Sequence, residues 1–214
     1  MDAPAPWNLT GRGFILMYRF PEAFIRESCF LPEEWAEMKW SGLGYVMLVD
    51  YLDSPVGPYH EILVIPGKTK FGGNRLSTIS KIFVDTPDSM EGGRANWGIP
   101  KELTDIKWTQ ENRNHFIQVG NINPWFEIEL EHGSLPIPVD TRLIPINLFQ
   151  ELDNRQFMFS PKGRGTGHFT LIKGISVDPV YFPAIDELEP IVTFYLDPFT
   201  MTFPAPKIET IHAR

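Results

Sequence analysis

The chain lacks most of the features that reveal a function at first sight. It has a single cysteine, Cys29, so no internal disulfide can form. The neighbours Phe24, Ile25, Phe30 and Leu31 suit a small buried hydrophobe better than a nucleophile. One unpaired cysteine fits a reducing compartment. No apolar run approaches the ~20 residues that span a bilayer, and Met1 to Trp7 lacks the basic start and apolar stretch of a signal peptide. A cytoplasmic protein without membrane contact is expected. Positive charge is scarce too, with Lys+Arg 19 against Asp+Glu 27 and a net charge of −8. Without a basic stripe, nucleic acid is not an expected partner, and an anionic substrate would need local cations. The histidines His60, His115, His132, His168 and His212 show no metal-ligand spacing, so neither a metal nor another cofactor is expected. There is no Gly-x-Ser-x-Gly elbow. Gly163 to Gly167 lacks the lysine of a phosphate loop and reads as a hairpin turn.

Punctuation, by contrast, is plentiful. The 20 prolines and 17 glycines are scattered, interrupting many short runs of aromatic and branched residues. Phe14 to Phe20, Leu43 to Leu52, Glu61 to Ile65 and Lys81 to Val84 are such runs, as are Phe157 to Phe159, His168 to Val177 and Ile191 to Leu196. In Trp125 to Glu131, Phe126, Ile128 and Leu130 alternate with three glutamates, the pattern of a strand with one wet face. Strands this frequent predict a mainly β fold, a closed or nearly closed antiparallel β-barrel with a few short helices. Glu33 to Lys39 can form one helix after Pro32. Thr86 as N-cap and Pro87 at the first position start another, which Gly92 and Gly93 should keep short. Trp35 and Trp40 fit packing against a helix better than stacking on bases. With 214 residues and no linker or repeat, residues 1–214 read as one domain.

Three segments carry candidate chemistry. In Gly93 to Glu102, Lys101 follows Pro100 among Trp97, Ile99 and Leu103. A free amine has a pKa of about 10.4 and is a poor nucleophile at pH 7, but desolvation can bias it against the charged form. In Val56 to Ile65, a turn at Gly57 and Pro58 leads into a strand on which Tyr59, Glu61 and Leu63 share a face. If that face is the inner one, Glu61 is a carboxylate inside the barrel. His60 should then point to the opposite face and into water. In Thr10 to Arg19, Arg12 precedes an apolar strand, a position from which a guanidinium could bind a carboxylate at a pocket mouth. Each segment alone also fits an ordinary surface residue.

Together they resemble the acetoacetate decarboxylase family, from about Arg12 through Lys101 and more loosely to Leu196. The sharpest likeness is Gly-Arg-x-x-x-Gly-x-Pro-Lys at Gly93 to Lys101, followed by Gly-x-Tyr-x-Glu at Gly57 to Glu61. The resemblance implies that Lys101 forms a Schiff base, that Glu61 positions substrate and moves protons, and that Arg12 is the arginine entering the first strand. Arg94 is expected in a structural ion pair. Family members often carry a second lysine after the first; here that position is Glu102, and the second family glutamate falls near Val46 to Asp50, where only Asp50 is acidic. The implied activity is a cofactor-independent carbon–carbon lyase that decarboxylates a β-keto acid through a lysine iminium. Phe14, Tyr59 and Trp97 are candidate pocket walls, by position. The alternatives are an aldolase-dehydratase using the same iminium and a non-catalytic barrel binding a hydrophobic ligand. The resemblance also implies a homo-oligomer.

Overall fold

A computed structural model describes residues 3–142 and 145–210, which leaves His212 outside the described residues. In chain order the elements are β1 (Trp7–Tyr18), α1 (Glu22–Ser28), α2 (Glu33–Ala36), β2 (Gly44–Asp53), β3 (Tyr59–Ile65), β4 (Lys68–Phe71), β5 (Asn74–Ser77) and β6 (Lys81–Val84). There follow α3 (Pro87–Trp97), β7 (Lys101–Leu103), β8 (Ile106–Glu111), β9 (Asn114–Val119), β10 (Phe126–His132) and β11 (Ile137–Asp140). The remainder is β12 (Leu148–Leu152), β13 (Arg155–Phe159), β14 (Lys162–Val177), β15 (Val192–Phe203) and β16 (Lys207–Thr210).

An 11-stranded sheet runs β7-β6-β3-β2-β1-β15-β14-β10-β9-β8, with β11 attached to β14, and a 5-stranded sheet runs β16-β13-β12-β5-β4. The large sheet curls until β1, β2 and β3 face β9 and β10 across one apolar cluster containing Phe14, Leu48, Ile62, Ile117 and Ile128. Its ends, β7 and β8, do not pair with each other, so the barrel is nearly closed rather than closed. The other face of β1, β2, β3 and β6 is also covered. There Tyr51, Tyr59, Leu63, Ile82 and Val84 pack with Trp97 at the end of α3 and with Leu148, Phe157 and Phe159 of the small sheet. Apolar residues therefore follow one another along Tyr45 to Val49 and Ile62 to Ile65 without alternating, because both faces are dry. β10 keeps the expected alternation, with Phe126, Ile128 and Leu130 buried and Glu129 exposed.

Several local expectations are revised. Helix α1 follows Pro21 and had no sequence signal strong enough to single it out. α2 has only 4 residues. Helix α3 starts at Pro87 as expected but continues through Gly92 and Gly93 to Trp97, and the Thr86 side chain makes no cap bond. Gly163 to Gly167 is not a turn; it lies inside the 16-residue strand β14. A Cβ at Gly165 would stand 2.6 Å from the Pro198 carbonyl oxygen, so the glycine there permits close approach of β15. Cys29 is fully buried, and burial pushes its thiol up to about 12. The Trp40 indole N–H donates to the Trp35 carbonyl and Trp35 packs edge-on against Phe71, a structural use of these rings.

Inside the curl, three histidines from β9, β10 and β14 gather around Tyr195. His115 Nε2 is 3.0 Å from His132 Nδ1, and the His132 and His168 rings are 5.6 Å apart. The Trp108 N–H donates to His115 Nδ1 at 3.1 Å. That bond requires an unprotonated Nδ1, which leaves Nε2–H to donate to His132. Burial lowers the His115 pKa to about 4. Native His115 thus stays neutral where the unfolded chain, near 6.5, takes up a proton. The associated stability is complete above about pH 6.5 and falls as pH drops toward 4, by an amount on the order of 2–3 kcal/mol. His60, whose pKa is raised first by its bond to Asp85, opposes part of this loss. The NMR titration of the His115 ring should show a midpoint near 4; a midpoint at the ordinary value would contradict the neutral buried ring.

Candidate active site

Lys101 opens β7, the strand reached from β6 by way of α3. β6 and β7 are parallel, with Ile82 opposite Lys101. Ile82 in turn stands opposite Leu63 of β3, and Val84 opposite Glu61. Period-2 geometry therefore puts Glu61, Leu63, Ile82, Val84 and Lys101 on one face. That face is the one covered by α3 and the small sheet, outside the curl.

The motif around Lys101 has a physical reading. At Gly93 a Cβ would stand 2.6 Å from Lys101 Cδ and 2.8 Å from its Cε, so the missing side chain is the slot through which the lysine stem passes. Arg94 Nε donates to the Lys101 carbonyl at 2.8 Å, fixing the backbone at the start of β7, and among the described residues it forms no ion pair. Gly98 ends α3 in the left-handed region at φ 63, which a residue with a Cβ adopts only with strain. Ile99 and Trp97 then bury themselves beside the lysine.

Lys101 Nζ lies 2.8 Å from Glu61 Oε2, and each side chain is only 4% exposed. Nζ also donates to Ser89 Oγ at 3.0 Å and sits 4.9 Å above the centre of the Tyr59 ring. The Tyr51 hydroxyl hydrogen-bonds Glu61 and the Tyr59 hydroxyl hydrogen-bonds Ser89. Burial, then the Glu61 charge, holds both phenols well above their ordinary pKa, so both stay neutral. Trp7, Trp97 and Ile99 close the space around Lys101.

Two small cavities meet at Glu61. One, of about 20 Å³, touches Lys101, Tyr59 and Trp97. The other, of about 80 Å³, extends past Val49, Ile65, Ile79, Leu148 and Phe199. Thr141 and Met201 border this second cavity and also a surface cleft of about 480 Å³ rimmed by Arg142, Lys162 and Arg164. A larger cleft, of about 590 Å³, opens beside His132 and Phe169 and does not include Lys101.

The site thus unites Lys101, Glu61, Tyr59 and Trp97, all named from the sequence. Arg12 is placed elsewhere, and Phe14 reaches only the second cavity. Arg12 lies on the opposite face of β1, its Nε 2.9 Å from Asp50 Oδ2 and its Nη1 bonded to Gln110. The Phe14 ring packs with Tyr195, Trp108 and His115 inside the curl, although Phe14 also borders the apolar cavity. Asp50 shares that opposite face, 3.6 Å from His60. His60 points to the opposite face as expected but is only partly exposed; its Nδ1 is 2.7 Å from Asp85 and its ring stacks near Trp108. Glu102 points away from Lys101 and pairs with Lys81 at 2.6 Å. Ser89 and Tyr51 were not singled out by sequence. The spacing of Ser89, Gly93 and Trp97, four residues apart on α3, was the available signal. Among the described residues, no cluster could hold a metal ion and no helix is long and apolar enough to cross a membrane.

Comparison with known proteins bears on this arrangement. The structure of acetoacetate decarboxylase from Legionella pneumophila superimposes with a TM-score of 0.71 at 16% identity, covering 97% of this chain and 88% of that one. The enduracididine biosynthesis enzyme MppR, complexed with pyruvate, gives 0.65 at 13% identity, covering 97% and 91%. Both likenesses concern the fold. In sequence, the decarboxylase DEC1 of Cochliobolus heterostrophus is 28% identical over 98 residues, 46% of this chain and 37% of that protein. The matched stretch spans little more than a third of the curated relatives it resembles. The model of the acetoacetate decarboxylase (ADC) family matches residues 1–121, more than half of the 214. The chain belongs to the acetoacetate decarboxylase family.

Proposed function

We propose that this protein is a cofactor-independent carbon–carbon lyase whose Lys101 forms an iminium with the ketone of a β-keto acid and drives loss of carbon dioxide. The observation that carries the reading is a lysine and a glutamate in direct contact, both buried, at the meeting point of two apolar cavities. A water-poor lysine with its own proton acceptor has few structural uses.

The amine must be uncharged to attack, and Glu61 is placed to take its proton. Attack on the carbonyl carbon gives a carbinolamine, and protonation of its hydroxyl, with Glu61 as the donor, expels water. The resulting iminium lies β to the carboxylate and accepts the electron pair released as the carbon–carbon bond breaks. Glu61, recharged by solvent, then protonates the enamine at carbon, and hydrolysis returns the ketone and the free amine. Ser89 Oγ and the Tyr59 ring hold the nitrogen in place throughout, since both face Nζ. An apolar pocket favours a step in which a carboxylate becomes neutral carbon dioxide. Glu102, turned toward Lys81, takes no part.

A second reading keeps the same iminium but condenses it with an aldehyde. The shared fold with MppR, solved with pyruvate bound, favours it. Incubation with pyruvate and an aldehyde would then give a conjugated product in place of gas.

Borohydride reduction in the presence of acetoacetate should leave a stable adduct on the peptide containing Lys101; an adduct on another lysine, or none, would sink the mechanism. Glu61→Gln should lower kcat by roughly 10²–10⁴-fold. Lys101→Met should abolish trapping and also leave Glu61 buried without its partner, at a cost of about 3 kcal/mol or more in urea unfolding. Adding Glu61→Gln to that variant should restore much of the loss. Gly93→Ala pushes on the lysine stem rather than on backbone. It should keep a native circular dichroism spectrum while slowing adduct formation by about tenfold or more.

A further inference from the structure

We infer that the carbonyl compound used by this site carries an uncharged aliphatic tail of about three to five carbons, lodged in the cavity between the large and small sheets. The inference rests on the reading of Lys101 as the iminium-forming amine, and it names the class of substrate that amine would meet.

Three observations carry it. First, the larger cavity begins at Glu61 and leads away from Lys101 between Val49, Ile65, Ile79, Leu148 and Phe199, so a ketone held at the amine would direct one substituent into it. Second, Glu61 is the only charged residue among the described residues that line this cavity, and it is engaged by Lys101 and Tyr51. A charged tail would be desolvated there with no partner, which costs several kcal/mol in general. Third, the guanidinium best placed by sequence to hold an acid, Arg12, lies on the far face of β1 in contact with Asp50. At about 80 Å³, roughly half the ~150 Å³ of an apolar cavity that takes up benzene, the cavity has room for roughly three to five carbons. A molecule as short as acetoacetate would leave most of that space unfilled.

The consequence is a chain-length preference. Each buried methylene contributes about 0.8 kcal/mol, or about fourfold in capture. The test is competitive borohydride trapping of an equimolar mixture of acetoacetate, 3-oxohexanoate, 3-oxooctanoate and 3-oxoadipate, with the Lys101 peptide adducts weighed by mass spectrometry. The expected result is 3-oxohexanoate over acetoacetate by roughly 10–20-fold, 3-oxooctanoate higher still, and almost no 3-oxoadipate. Equal adducts across the series, or a preference for 3-oxoadipate, would overturn the tail while leaving the lysine mechanism standing. Val49→Phe, which fills the cavity beside Glu61, should compress the ratio of 3-oxooctanoate to acetoacetate; Val49→Leu, a milder change, should compress it less. If no compound is trapped at Lys101, the mechanism falls, and the tail is judged by thermal stabilisation with 1-hexanol. Greater stabilisation by 1-hexanol than by 1-propanol, weakened in Val49→Phe, upholds the cavity as an alkyl site; equal effects remove it.

Discussion

The contact between Lys101 and Glu61 is the constraint around which the rest of the molecule is arranged. Removing two ions from water costs several kcal/mol each, and their attraction repays this only when the remaining hydrogen-bonding capacity is used. Here Ser89 Oγ accepts a hydrogen bond from Nζ, Tyr51 donates to the carboxylate, and the Tyr59 ring covers the ammonium side. Each of these helpers stands on a different element: Ser89 on α3, Tyr51 on β2, Tyr59 on β3. The helix has to press down on the sheet to complete the set, and its missing side chain at Gly93 is what lets it do so without displacing the lysine.

The same strands carry a second polar system on their reverse side, where Arg12, Asp50, His60 and Asp85 join in a chain of contacts. Adjacent residues feed opposite systems: Glu61 reaches Lys101 while His60 reaches Asp85, and Tyr51 reaches Glu61 while Asp50 reaches Arg12. One backbone layer thus separates two groups of ionisable side chains that would otherwise compete. The rings of Phe14, Trp108 and Tyr195 pack beside the second group, which stays partly open to water at Arg12, His60 and Asp85.

Much of this was legible in the residues themselves. The alternation in Phe126 to Glu131, the density of short apolar runs and the pairing of Gly93 with Lys101 all point to features that are present. What could not be read was sidedness. Where both faces of a strand are apolar, as along Tyr45 to Val49, the pattern does not say which side holds the site, nor that Arg12 comes to lie on the side away from Lys101. Glycines misled in a related way. Their low helix propensity suggested an early end to α3, and their turn preference suggested a hairpin at Gly163 to Gly167. In both places close packing, against Lys101 and against β15, decides the outcome, and packing partners far along the chain leave no local trace. The threefold meeting of His115, His132 and His168 was hidden likewise, because the three residues come together only through strand pairing.

Helix α3 and strand β7 also impose a rule of counting. Gly93 must lie over the stem of a lysine whose backbone is already locked into register with Ile82. Between those two anchors the chemistry of the intervening residues can drift, but their number cannot. Because neighbouring strand positions look in opposite directions, losing one residue would present Glu102 to Glu61, and gaining one would present Pro100. Over evolutionary time this segment should therefore tolerate changed letters and reject changed length.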